Sequence, residues 1–62
     1  MGVALKAMRQ GVGLTITELA ERAGTTKSTL SRFENGQRTI GADLLSRVAR
    51  VIADEAHARR AA

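Results

Sequence analysis

The chain has 62 residues, a net charge of +4 and no Cys. This length allows one domain at most, with a small core and marginal stability, and the lack of Cys excludes disulfides, thiol chemistry and Cys-ligated zinc. The excess of basic over acidic residues favours polyanionic partners. The single aromatic residue, Phe33, provides no platform for stacking single-stranded bases, so the expected nucleic acid is a duplex.

The composition predicts an all-α fold, because residues of high helix propensity dominate, Pro is absent and β-branched residues do not alternate. Four helices are predicted, at about residues 2–11, 16–23, 27–35 and 42–58. In the first helix the apolar side is predicted to contain Leu5 and Met8 with Ala4 or Met1, and the polar side Lys6, Arg9 and Gln10. Gly11 and Gly13 end this helix, and Leu14 returns to the core.

The second and third helices are marked by Thr caps and by glycine. Thr15 is the predicted N-cap of the second helix and forms a capping box with Glu18. An apolar stripe follows: Ile16, Leu19, Ala20 and Ala23. Gly24 ends the helix, and Thr26 caps the third helix so soon afterwards that the two helices must cross steeply.

In the third helix Leu30 and Phe33 are predicted to face inward, and Asn35 with Gly36 forms the C-terminal turn. A loop over residues 37–41 follows, anchored by Ile40. The fourth helix starts near Ala42 and continues until it frays toward Ala62. Its apolar residues cover more than one stripe: Leu44, Leu45, Val48, Ala49, Val51, Ile52 and Ala56. This surplus predicts that residues 42–62 form a homodimer interface, centred on Leu44, Val48 and Val51.

Residues 14–36, LTITELAERAGTTKSTLSRFENG, resemble the helix-turn-helix of the XRE-like family of phage repressor and Cro regulators. The resemblance rests on Ala20, Gly24 and Leu30 at the family's spacing, the capping box, and the phrase FENG. It extends over about residues 5–52. It implies a compact four-helix, lambda-repressor-like domain spanning residues 1–62, with the motif at 15–36.

The resemblance also implies which residues contact DNA. The recognition helix would lie in the major groove and read bases with Lys27, Ser28 and Arg32, assisted by Ser31. Contacts to the DNA backbone would come from Thr15, Thr26, Asn35, Gln37 and Arg38. Two positions depart from the family: Ile16 replaces a frequent Gln that touches phosphate, and Thr25 replaces an apolar turn residue. Arg9 and Glu34 match a structural ion pair that ties the first helix to the end of the recognition helix.

These features predict a DNA-binding regulator of transcription, most similar to Cro-like repressors of near-palindromic operators and next to restriction-modification controllers. An antitoxin-type protein-binding module is the alternative, although the set Lys27, Ser28, Arg32 and Arg38, which contains no acidic residue, favours DNA. A membrane-surface role of the last helix is less favoured because it lacks interfacial aromatics.

No enzyme, cofactor, metal or small-molecule substrate is expected. The pair Asp54 and His57 provides only two potential ligands, and the sequence has no nucleophile with a base or Gly-rich phosphate loop. No apolar run is long enough for a membrane span or a signal peptide. The expected location is the cytoplasm of a bacterial host, at the nucleoid.

Overall fold

The structure, a computed structural model, describes residues 1–61 and contains four helices and no strand within that range. The helices are α1 (Gly2–Gly11), α2 (Ile16–Ala23), α3 (Lys27–Glu34) and α4 (Ala42–Ala61). The four predicted helices are confirmed, with small differences at two ends. Helix α3 stops one residue early, with Asn35 as its C-cap, and α4 continues three residues beyond the predicted end. The prediction for Ala62 lies outside the described residues.

Helices α1, α2 and α3 all end in the same way. After each of them, a glycine with a positive φ of 74° to 76° reverses the chain, and the glycines are Gly13, Gly24 and Gly36. In each case the N–H of the glycine and the N–H of the following residue donate to carbonyls of the last turn. This is the Schellman arrangement, which requires a left-handed conformation that residues other than glycine rarely adopt.

Both Thr N-caps are confirmed. Thr15 Oγ1 accepts from the Glu18 N–H at 3.1 Å, and the Glu18 carboxylate accepts from the Thr15 N–H at 2.9 Å, which completes the capping box. The hydrogen bond from the Thr15 backbone lowers the pKa of the Glu18 carboxyl. Thr26 Oγ1 accepts from the Thr29 N–H at 3.1 Å. These bonds satisfy backbone donors that a helix leaves free at its start.

Helix α2 occupies the centre of the fold, since it packs against both α3 and α4, while α1 packs against α3. The core is formed by ten buried apolar residues: Leu5, Leu14, Leu19, Ala20, Ala23, Leu30, Phe33, Val48, Val51 and Ile52. Ile40 and Ile16 are half-buried against this core, as predicted. The 20-residue α4 accounts for the long dimension of the molecule, 35 Å against 19 and 18 Å. No helix within residues 1–61 is long and apolar enough to span a bilayer.

The assignment of faces on α1 was wrong in part. Met8 is 51% exposed instead of inward, and Val3 and Met1 are also exposed. The residue that shares the buried side with Leu5 is Arg9, one helical turn later, which was placed on the polar side. A charged residue occupies this core position because its charge is paired there.

The partner of Arg9 is Glu34, as the resemblance implied. The guanidinium donates from Nε to Glu34 Oε2 at 2.8 Å and from Nη2 to Oε1 at 2.9 Å, a bidentate pair. Its third nitrogen, Nη1, donates to the Leu14 carbonyl at 2.9 Å. Arg9 is only 9% exposed and Glu34 only 4%. The hydrogen bonds to Glu34 raise the pKa of Arg9 above its ordinary value, against the opposing effect of burial.

The apolar surplus of α4 is used largely within the chain itself. Val48 is fully buried and Val51 is 8% exposed, so both belong to the core. Of the three residues predicted at a dimer interface, only Leu44 keeps appreciable surface, being half-buried. The prediction of Val48 and Val51 as interface residues is therefore wrong, because their side chains already pack against the chain's own core.

The last turns of α4 are held by an ion-pair cluster. Glu55 accepts from Arg22 of α2 at 2.8 Å and pairs with Arg59 at 3.3 Å, one turn later on α4. The Arg59 guanidinium also lies directly over Gly13 in the turn after α1. Arg59 is one of the three residues by which α4 exceeds its predicted end, and exposed pairs of this kind stabilise by about 0.2–1 kcal/mol each.

Gly2 and Gly11 provide a matched test of backbone packing on α1. A Cβ at Gly2 would overlap the Phe33 carbonyl, whereas one at Gly11 would meet no heavy atom of the described residues within 4 Å. We expect Gly2→Ala to destabilise by about 1–3 kcal/mol through overpacking. Gly11→Ala should stabilise by about 0.5–1 kcal/mol through helix propensity. Urea unfolding followed by circular dichroism measures both, and equal effects would show that α1 does not approach α3 this closely.

Glu34→Ala should destabilise the fold by about 3–5 kcal/mol, because Arg9 would remain buried with an unpaired charge. Thermal melting measures this loss. In a domain of this size the melting temperature should fall by more than about ten degrees. Glu21→Ala removes an exposed carboxylate from α2 and serves as the control, with an expected change within about 0.5 kcal/mol. A melting temperature for Glu34→Ala within about a degree of the original would contradict a structural role of the pair.

Candidate nucleic-acid interface

Helix α3 has two sides of opposite character. Leu30, Phe33 and Glu34 are buried against the rest of the molecule. The other side contains two pairs of residues one turn apart, Lys27 with Ser31 and Ser28 with Arg32, which helical geometry places on one face. Together they line an open depression on the surface. The structure therefore brings all four predicted base-reading residues into one site.

A fifth residue, Gln37, lines the same depression. Gln37 lies outside α3, but its N–H donates to the Arg32 carbonyl at 2.7 Å, and the Gly36 N–H donates to the Phe33 carbonyl at 3.1 Å. The turn thus folds Gln37 back beside Arg32. From the sequence, Gln37 was predicted to contact the DNA backbone and was not among the predicted base-reading residues. The glycine after Asn35 was the available signal, since a glycine there brings the next residue onto the last turn.

The depression has a uniformly favourable charge for an anion. Lys27 and Arg32 contribute positive charge, Ser28, Ser31 and Gln37 contribute neutral polar groups, and no acidic side chain of the described residues lines it. Glu34, the acidic residue of α3, faces away and is bonded to Arg9. This arrangement suits the phosphates and the acceptor-rich base edges of a duplex major groove.

The two Thr caps differ in what they can offer a phosphate. Thr26 Oγ1 shares a hydrogen bond with Thr29 Oγ1 at 2.9 Å and also accepts from the Thr29 N–H. Thr15 Oγ1 accepts from Glu18 and shares no such bond with another hydroxyl of the described residues, so its proton can point outward. Among the described residues Thr15 Oγ1 makes one hydrogen bond and Thr26 Oγ1 makes two, so the Thr15 hydroxyl has more remaining capacity for a contact to phosphate.

The remaining predicted backbone-contact residues lie outside the depression. Asn35 is exposed at the C-cap of α3, and Arg38 is exposed in the following loop. Arg38 Nε donates to the Thr39 carbonyl at 3.2 Å, which leaves its two terminal nitrogens directed to solvent or a ligand. Ile16 packs against the core and provides no polar atom, so the Gln contact frequent at this family position is absent from its side chain.

A helix-turn-helix family model matches residues 5–53 of the chain. A similar solved structure is that of the clp gene regulator ClgR from Corynebacterium glutamicum, with 33% identity and a TM-score of 0.79. The match covers 87% of this chain and 62% of the ClgR chain, so this chain corresponds to less than two thirds of that protein. No curated protein sequence matches it.

The family match agrees with the geometry, because the matched residues include the capped α2, the turn at Gly24 and the exposed polar side of α3. It covers well over half of the chain, and the solved neighbour with the same fold is a gene regulator. The chain therefore belongs to the XRE-type helix-turn-helix family.

Proposed function

We propose that this protein is a Cro-like repressor that binds a near-palindromic operator as a homodimer. The observation that carries the proposal is the exposed side of α3, where Lys27, Ser28, Ser31 and Arg32 line one open, acid-free depression. A helix with such a side can enter a major groove, whose width admits an α-helix. Repression then follows from occupancy, since a domain bound across an operator excludes other proteins from the same site.

Arg32 is the principal base reader in this proposal. Its planar guanidinium can donate to the O6 and N7 atoms of one guanine together, which a lysine ammonium cannot match in geometry. Lys27, in the first turn of α3, adds a point charge, while Ser28 and Ser31 add hydroxyls that discriminate little between bases. Sequence preference should therefore depend on Arg32 more than on its neighbours.

Contacts to the DNA backbone come from groups around the recognition helix. The N–H groups in the first turn of α2 and the outward hydroxyl of Thr15 suit one phosphate. Asn35 and the free nitrogens of Arg38 suit another beyond the C-terminal end of α3. Thr26 is exposed at the N-cap of α3, where the backbone N–H groups of the first turn can bind a phosphate. These contacts fix the position of α3 without reading sequence.

Dimerisation is supported by size and by symmetry. A 62-residue domain has a small core. A second copy bound to the same operator doubles the number of protein–DNA contacts in the complex. Two copies related by a two-fold axis would present their recognition helices about 34 Å apart, which requires a near-palindromic site. With Val48 and Val51 buried, the part of α4 left to form the interface is its first turn, at Leu44 and the half-buried Leu45.

Arg32→Ala should relax the preference at one base pair in each half-site. Selection of binding sites from random duplex DNA measures this, and the loss should be about 1–3 kcal/mol per half-site. The control is Arg50→Ala, which removes the same charge from an exposed position on α4. That variant should keep the original sequence preference. An unchanged preference for Arg32→Ala would refute the assignment of base readers.

Sedimentation equilibrium at tens of micromolar should give a dimer, and two chains should bind each near-palindromic duplex. Leu44→Asp should produce a monomer, because it places a charge at the proposed interface in a helical turn that tolerates an acidic residue. Met8→Asp, at an exposed apolar position on α1, should leave the dimer intact. If the original chain is a monomer and binds DNA as a single copy, dimerisation is contradicted. If Met8→Asp dissociates the dimer and Leu44→Asp does not, the interface lies on α1 and not on α4.

A further inference from the structure

One of the residues that line the depression lies outside α3. Gln37 lines it together with Lys27, Ser28, Ser31 and Arg32. Residues that only touch phosphates are expected at the edge of a groove-facing surface, as Asn35 and Arg38 are here, since both lie outside the depression. Gln37 instead shares the surface from which base edges would be read.

The position of Gln37 is held by its backbone. Its N–H donates to the Arg32 carbonyl at 2.7 Å, next to the residue proposed to read guanine, and Gly36 before it has a φ of +74°. The Gln37 side chain makes no hydrogen bond to the described residues and is exposed. Its amide is therefore free for a ligand, and replacing the side chain leaves intact the bonds that shape the turn.

The chemistry of the amide suits a base better than a phosphate in this setting. A glutamine presents one acceptor and two donors, which pair with the N6 and N7 atoms of adenine in the major groove. A phosphate offers only acceptors and is better served by the cations Lys27 and Arg38. An amide placed beside Arg32 extends the reading surface by one more base pair.

We propose that Gln37 is a base-reading residue, selective for adenine at the base pair adjacent to the one read by Arg32. The inference rests on the proposed function, since it assumes that α3 lies in the major groove. It adds a specificity determinant from the loop after the recognition helix. The reading surface then combines α3 with a fixed residue beyond its C-terminal turn.

The test uses the full chain and duplexes that carry each of the four bases at every half-site position of the selected operator. Three variants are compared with the original: Gln37→Ala, Gln37→Glu and, as a matched control, Gln10→Ala, an exposed glutamine on α1. Gln37→Ala should lose about 5- to 100-fold of the discrimination for adenine at one position, with the guanine preference of Arg32 unchanged. Gln37→Glu should transfer the preference at that position to cytosine, whose N4 donates to a carboxylate. Gln10→Ala should keep all preferences.

The outcomes separate the inference from the proposed function. If Gln37→Ala weakens binding to all duplexes equally, or if neither Gln37 variant changes any preference, Gln37 reads no base and the inference is overturned while the proposed function stands. If the original chain selects no sequence at all from random duplexes, the proposed function fails and the inference with it. Melting curves of both variants should match the original, because the bonds that hold the turn are backbone bonds.

Discussion

The buried ion pair between Arg9 and Glu34 is the constraint on which the rest of the structure depends. Arg9 bonds both carboxylate oxygens of Glu34 and the Leu14 carbonyl, and its own carbonyl accepts from the Leu14 N–H. One side chain thus joins α1, the turn before α2 and the last residue of α3. No buried side-chain nitrogen or oxygen of the described residues lacks a partner. A buried charge is tolerated here because every donor that faces inward is used.

The pair also fixes how the recognition helix is presented. Glu34 lies on the side of α3 that contains Leu30 and Phe33, so bonding to Arg9 sets the rotation of the helix about its axis. The close approach of α1 at Gly2 to the Phe33 carbonyl sets the distance between the two helices. With rotation and distance fixed, Lys27 and Arg32 have no alternative to the outer face. Positioning of this kind makes a contact specific, because base reading tolerates little misplacement.

Local signals in the sequence were sufficient for the caps and turns, and insufficient wherever the outcome depended on the whole fold. The Thr15 capping box and the glycines after α2 and α3 require only neighbouring residues, so they could be predicted. Apolar periodicity on α1 could not identify Arg9 as buried, because its partner lies 25 residues away. Nor could it show that Val48 packs inward, since three short helices leave α4 to supply much of the core. Helical spacing also could not place Gln37 beside Arg32, because its location depends on the turn at Gly36.

The buried residues that hold the fold are separate from the exposed residues proposed to read DNA, and this separation affects how the domain can change. Lys27, Ser28, Arg32 and Gln37 are exposed and add nothing to the apolar core. Exposed substitutions of this kind usually change stability by less than about 0.5 kcal/mol. By contrast, a domain of this size has only a few kcal/mol to lose, so Arg9, Glu34 and the glycine turns are constrained by folding. Under the proposed function, the same scaffold can therefore accept new operator sequences through a few surface residues, provided that the buried pair continues to fix the rotation of α3.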